Sequence, residues 1–331
     1  VRVGAGLGHG HNGPCTVLLL APARGISGGF AAVFGTPLAG ALFGIEVLYL
    51  GRLEYQVLFP CLVAGMVGHL ACGEVHPVSP ATVGTADLSH GGLVALGLGG
   101  GLLFGLIAVV LMELQHLVHH LAQRLRNWPL LLGAVGGVFV AALLSVAGSQ
   151  YGGLGIETID RALMAEHIFA LAFLIKILAT LVTLETGGSG GIITPMFFIG
   201  ATAGNVTGRL LGVSPSLMAA LGMVAILSAG ANTPIAASVM ALETLGVAFG
   251  TYAALACGAA FLIAGHRSLY PSQVLGLAKT PSLDLPEDTE LGKVEVVRIR
   301  LRPHTLLSFF VHLFRRKGAE DASSRQVEDK E

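Results

Sequence analysis

The chain has 331 residues, 53% of them hydrophobic and only 12% charged, a formal net charge of −1 and a mean hydropathy of +0.76. Soluble domains carry about a quarter charged residues, so this composition excludes an ordinary soluble fold and indicates a membrane protein. Its apolar runs are long and do not alternate with period two, which argues against a transmembrane barrel and for helices.

In chain order, membrane helices are predicted near Ile26–Tyr49, Val57–Ala71, Gly91–His120, Pro129–Ala147 and His167–Leu184. More follow near Thr194–Leu211, Leu217–Ala229, Pro234–Val247 and Ala253–Ala264, and a short last helix begins at about Tyr270. The run Gly91–Met112 is charge-free over a length that crosses a bilayer. The shorter runs suit helices that stop partway or lie among other helices. Gly73–Ser89 reads as a surface loop, Gln123–Trp128 as a basic turn and Gly148–Arg161 as another loop. Lys293–Arg302 alternates like a short strand, and Ser308–Phe314 is apolar and ends in Arg315-Arg316-Lys317. Basic residues gather there, so the C-terminus is expected in the cytoplasm.

One phrase occurs twice. Thr36-Pro37-Leu38-Ala39 is followed by Glu46, and Thr233-Pro234-Ile235-Ala236 by Glu243, each acid nine residues after its proline. In membrane chains such repeats indicate two structural halves with a substrate site between them. The halves are unequal, with 35 residues before the first phrase and about 140 from Gly91 to the second. This gives segments of 1–25 (altered or remnant), 26–75 (remainder of a first repeat), 76–90 (loop), 91–280 (second repeat with last helix) and 281–331 (tail). The fold expected is an all-α membrane bundle of inverted repeats with broken helices, its first repeat incomplete and the chain N-terminally truncated.

Gly191-Ile192-Ile193-Thr194-Pro195 carries the most chemical information. Glycine shortly before proline at the start of an apolar helix sets a helix N-terminus within the membrane, where free N–H groups and the positive dipole end face an anion. The other reading of such a turn is a tight loop holding no ligand. Lys176 stands in an apolar run, where an ionisable group is costly; it either raises the potential along an anion path or pairs with a carboxylate or helix end. Glu46 and Glu243 read better as caps on helix contacts, or as groups reaching the interface, than as proton carriers. His116, His119 and His120 with Glu113 have metal-ligand spacing but sit at a helix end, where an interfacial polar face is the better reading and no metal is expected. Cys15, Cys61, Cys72 and Cys257 lack paired spacing and read as small buried side chains.

These residues together resemble the CLC family of chloride channels and proton-coupled anion exchangers, from about Ile26 to Ala278. Gly191–Pro195 is similar to that family's second anion-binding loop, with Ile193 in place of the usual phenylalanine. Phe34-Gly35-Thr36-Pro37-Leu38-Ala39-Gly40 resembles the helix before the dimer interface. Ser268-Leu269-Tyr270-Pro271-Ser272-Gln273 resembles the start of the last membrane helix, whose tyrosine hydroxyl coordinates the central anion. A phenol suits that role because it donates a hydrogen bond without a permanent charge that would trap the ion. The Thr-Pro in the loop, Ala231-Asn232-Thr233-Pro234 and Lys176 are most similar to the bacterial fluoride-exporting branch.

There are departures from the pattern. The family's serine loop has no counterpart. Gly10-His11-Asn12-Gly13-Pro14 resembles the gating motif with Asn12 in the glutamate's place, but Pro14 lies 23 residues before Pro37 against 39 between Pro195 and Pro234. That spacing is too short for a full helix, so residues before about Leu18 read as altered sequence. Proton-coupled members carry a second acid where this chain has Val47 after Glu46.

The resemblance implies transmembrane halide transport, of chloride or fluoride, by a channel or by anion/proton exchange. It implies a homodimer with one pathway per subunit, the helices around Ile45–Ala71 and Pro234–Ala264 forming the interface, in a bacterial inner membrane. Anion-binding candidates are Gly191, Ile192, Ile193, Thr194, Pro195 and Tyr270, with Lys176, Asn12 and Glu46 as further pathway candidates. Partners are a halide, protons and lipid; no enzyme activity, cofactor or nucleic acid is expected. Two alternatives remain: an intramembrane serine protease using Ser189 of Gly187-Gly188-Ser189-Gly190 with His266, and an inactive truncated transporter.

Overall fold

The computed structural model describes residues 14–53, 55–73 and 89–276, together with three two-residue strands further along. The first helices are α1 (Pro14–Phe34), α2 (Pro37–Glu46) and α3 (Leu58–Cys72). The single helix expected over Ile26–Tyr49 is therefore two. Gly35 takes a left-handed φ of 68°, and Pro37 opens α2, where its missing N–H costs nothing. The interval between Pro14 and Pro37, expected to be too short for a full helix, holds the whole of α1.

Next come α4 (His90–Gln123), started by the Ser89 hydroxyl accepting from the Gly92 N–H, and α5 (Pro129–Ala147), started by proline. The expected loop over Gly148–Arg161 contains the amphipathic α6 (Ile156–Leu163), whose Thr158, Ile159, Ala162 and Leu163 are buried. Then follow α7 (Ala172–Glu185), α8 (Ile193–Leu211), α9 (Pro215–Ala231), α10 (Pro234–Leu245) and α11 (Val247–Ala264). The interval between Pro195 and Pro234 thus carries two helices where the first repeat's carries one.

No helix begins at Tyr270. Residues 270–276 run as a turn into β2 (Val274–Leu275), which pairs in parallel with β1 (Tyr49–Leu50) just after α2. The Val274 N–H donates to the Leu48 carbonyl (3.1 Å) and the Gly276 N–H to that of Leu50 (2.9 Å), so this segment spends its backbone donors on a strand. Beyond it, β3 (Leu283–Asp284), β4 (Thr289–Glu290) and β5 (Arg298–Ile299) form the remaining pairs, β4 on β2 and β5 on β3. β5 lies within the alternating run Lys293–Arg302.

The internal symmetry is visible in the packing. α1, α2 and α3 pack on one another as α9, α10 and α11 do, and α2 meets α10. Among the described residues, four segments are long and apolar enough to cross a membrane: Tyr55–Cys72, His90–Gln123, Pro129–Ala147 and Val247–Ala264. α2, α9 and α10 are shorter and apolar. Every residue of α9 from Leu217 to Ala231 is buried, as expected of a helix that is apolar all round. By contrast, α5 buries only Gly136 and leaves Leu130 and Val146 each 91% exposed, a face suited to lipid. α8 and α9 cross so closely that a Cβ on Gly200 or Gly222 would overlap the other's backbone. Such small-residue crossings are how membrane helices approach.

Candidate functional site

α8 begins at Ile193 with Ile192 as its N-cap, and no side chain among the described residues caps it. The Ile192 carbonyl already accepts from the Met196 N–H (3.0 Å), and Pro195 has no N–H. The first-turn donors are therefore the N–H groups of Ile193 and Thr194. At two other apolar helices a carboxylate closes this end. The Glu46 carboxylate accepts from the Ile235 and Ala236 N–H groups (3.2 and 2.9 Å) at the start of α10. The Glu243 carboxylate accepts from Leu38 and Ala39 (3.0 and 2.9 Å) at the start of α2. Each Thr-Pro helix is thus capped by the glutamate of the other repeat, while the α8 terminus opens on a cavity.

That cavity has a volume of about 560 Å³. Gly190 to Thr194 form one wall, and Leu269 and Tyr270 form another. Gly25, Ile26, Gly29, Phe30, Val33 and Phe34 of α1 complete it, with Gln115 of α4 and Leu184 of α7. Tyr270 is half-buried, and its hydroxyl has no hydrogen-bond partner among the described residues. The walls are otherwise apolar, so a guest meets two main-chain N–H groups, the hydroxyls of Thr194 and Tyr270 and one amide. This donor set carries no formal charge and suits a small anion exchanging its water for oriented dipoles.

Several candidates are brought together here: Gly191, Ile192, Ile193, Thr194 and Tyr270 share the cavity, while Pro195 is buried one residue beyond and acts by ending the donor run. Two pathway candidates are not. Lys176 is 2% exposed and its ammonium donates to the carbonyls of Tyr151 (3.1 Å) and Gly153 (2.6 Å), 5.0 Å from the Phe198 ring centroid. It fastens the loop before α6 and is absent from the cavity wall. Glu46 is committed to the α10 terminus, and helix capping is its structural role. Asn12 lies outside the described residues.

The set of Glu113 and three histidines divides between partners. Glu113 pairs with Arg267 (2.6 Å) and His119 with Glu185 (2.6 Å), as an interfacial polar face does. Neither Ser189 nor His266 lines the cavity. Sequence reasoning missed the α1 wall and Gln115. The Gly25/Gly29 spacing on one helix face and a lone amide within α4 were the available signals.

Broken helices, an internal repeat and a helix N-terminus that shares a cavity with a phenol define a helical membrane fold of two related halves. The family described as voltage gated chloride channel matches residues 2–265, and the chain belongs to it. It is 37% identical over 298 residues to a chloride/fluoride channel protein of Pseudomonas syringae pv. tomato, covering 84% of this chain and 62% of that one. It is 31% identical over 237 residues to the voltage-gated ClC-type chloride channel ClcB of Salmonella typhimurium, covering 68% and 56%. The chain therefore spans less than two thirds of these relatives. Among solved structures, it superposes on a CLC-type fluoride/proton antiporter with a TM-score of 0.70 at 26% identity, covering 76% of this chain and 64% of the other. A slow cyanobacterial Cl⁻/H⁺ antiporter shares the fold, with a TM-score of 0.57 at 23% identity over 73% and 60%.

Proposed function

We propose that the chain carries a halide, chloride or fluoride, across a bacterial inner membrane as part of a homodimer with one pathway per subunit and a cytoplasmic C-terminus. The observation behind this reading is the single cavity shared by the uncapped start of α8 and Tyr270. In the bound state the Ile193 and Thr194 N–H groups and the Tyr270 hydroxyl replace part of the ion's hydration. Neutral donors of this kind offset dehydration yet let the ion leave. Relatives described as a chloride/fluoride channel and as fluoride/proton and chloride/proton antiporters support the substrate class and make proton exchange the coupling to test.

The test is flux from liposomes loaded with fluoride or chloride, followed with an ion-selective electrode, with and without a pH gradient. The chain should release halide above the rate of protein-free liposomes, and proton movement under the halide gradient would identify exchange. Tyr270→Phe should slow release by about tenfold, the effect of one lost hydrogen bond to a charged ligand. Ser189→Ala should leave release intact, since Ser189 is exposed in the turn between α7 and α8. Release no faster than from empty liposomes would overturn the proposal.

A further inference from the structure

Tyr270 sits in a short segment with no helix to hold it, so something else must fix the position of its hydroxyl. The side chains of Asn232 and Gln273, each 2% exposed, lie on either side of that segment in sequence. Asn232 ends α9 in the left-handed region (φ 57°, ψ 41°). Glycine is the usual residue in that conformation, with asparagine the tolerated alternative. Here the amide has a use that glycine cannot supply. The Asn232 Nδ2 donates to the Arg267 carbonyl (2.8 Å), three residues before Tyr270, and to the Gln273 Oε1 (3.0 Å), three residues after it.

The Gln273 Nε2 in turn donates to the Val47 carbonyl (3.0 Å), just after α2, and to the Ala231 carbonyl (3.1 Å), the last residue of α9. One side chain thus ties the end of a helix in the first repeat to the end of a helix in the second. Main-chain bonds reinforce it: Leu269 N–H to the Gly230 carbonyl (2.9 Å) and Gln273 N–H to the Tyr270 carbonyl (3.0 Å). Gly230 permits this approach, since a Cβ there would meet the Leu269 and Met196 side chains at 2.8 and 2.7 Å. Tyr270 also donates locally, from its N–H to the Ser268 Oγ (3.0 Å).

We propose that Asn232 and Gln273 are positioning residues: their buried amide clasp sets where the Tyr270 hydroxyl stands in the cavity and so which halide the site prefers. The inference rests on the anion-site reading above. Fluoride, the smaller and more strongly hydrated ion, requires donors held closer than chloride does, so loosening the phenol penalises fluoride more.

The experiment is a double-mutant cycle in liposomes, reading the ratio of fluoride to chloride release rates. Gln273→Met removes the clasp at similar size. Asn232→Gly keeps the left-handed backbone and removes only the amide, so it carries the test if Gln273→Met does not fold. Either change should lower the ratio by about tenfold, the loss of one hydrogen bond to a charged ligand. On a Tyr270→Phe background the same changes should have no further effect on the ratio, because the group they position is gone. Equal effects with and without the Tyr270 hydroxyl, or an unchanged ratio, would overturn the clasp while leaving halide transport standing. A wild-type chain that moves neither halide would instead overturn the anion-site reading, and the clasp with it.

Discussion

Lys176 shows how burial redirects a charge. In an apolar helix it is a natural candidate for a pathway cation, but its ammonium is used up on two carbonyls of the loop that leads into α6. Lys176→Met therefore leaves the buried Tyr151 carbonyl short of a donor, at a cost of about 1–3 kcal/mol for a buried group left unsatisfied. The expected outcome is a lower thermal midpoint in detergent with the fluoride-to-chloride ratio unchanged. A changed ratio at unchanged stability would return Lys176 to the pathway. Thr36 and Thr233 make a related point. Threonine before a helix usually caps it with its own oxygen. Here both hydroxyls are buried without a partner, and a distant carboxylate does the capping.

Among elements, the junction of α2 and α10 is where the repeat becomes a single structure. Each helix starts on the other's glutamate, so the two carboxylates act as reciprocal cross-braces on helix dipoles. Removing one leaves two N–H groups of an apolar helix without acceptors. Glu46 is 7% exposed, whereas the Glu243 bond to Leu38 is exposed, so Glu46→Ala should lower the unfolding midpoint more than Glu243→Ala. The reverse order, measured by thermal unfolding in detergent, would contradict this account of the junction. The same element scale explains the legibility of the second repeat. Proline starts and apolar runs marked α5, α9 and α10 to within two residues. α1/α2 was misjudged because Gly35 breaks an otherwise continuous apolar run, and α6 because an eight-residue helix leaves a weak pattern.

At the scale of the whole molecule, α3, α10 and α11 expose apolar side chains that the subunit does not cover. Phe59, Leu70, Val247 and Leu262 are each at least 70% exposed. In the proposed homodimer this face meets its copy, while α5 faces lipid. A charge placed there, as in Leu70→Arg, should shift the detergent-solubilised protein from dimer to monomer in light scattering after size exclusion. A monomeric wild-type chain would remove the dimer from the proposal. The whole-molecule scale also accounts for the site. Residue 193 and residue 270 are separated in sequence by the four helices α8 to α11, and only their packing gives them a common cavity with α1.

Composition and the doubled Thr-Pro phrase were enough to determine a helical membrane chain of two related halves, because partition into lipid and helix initiation are local, additive effects of side chains. The glycine turn and the phenol were legible for the same reason: each carries its donor whatever surrounds it. Which donors stayed free was decided by tertiary structure. Glu46, Glu243 and Lys176 were consumed by helix ends and carbonyls far away in sequence, whereas the start of α8 was left open. Hydrogen bonds between distant residues depend on how the helices pack, and that geometry exists only in the folded chain.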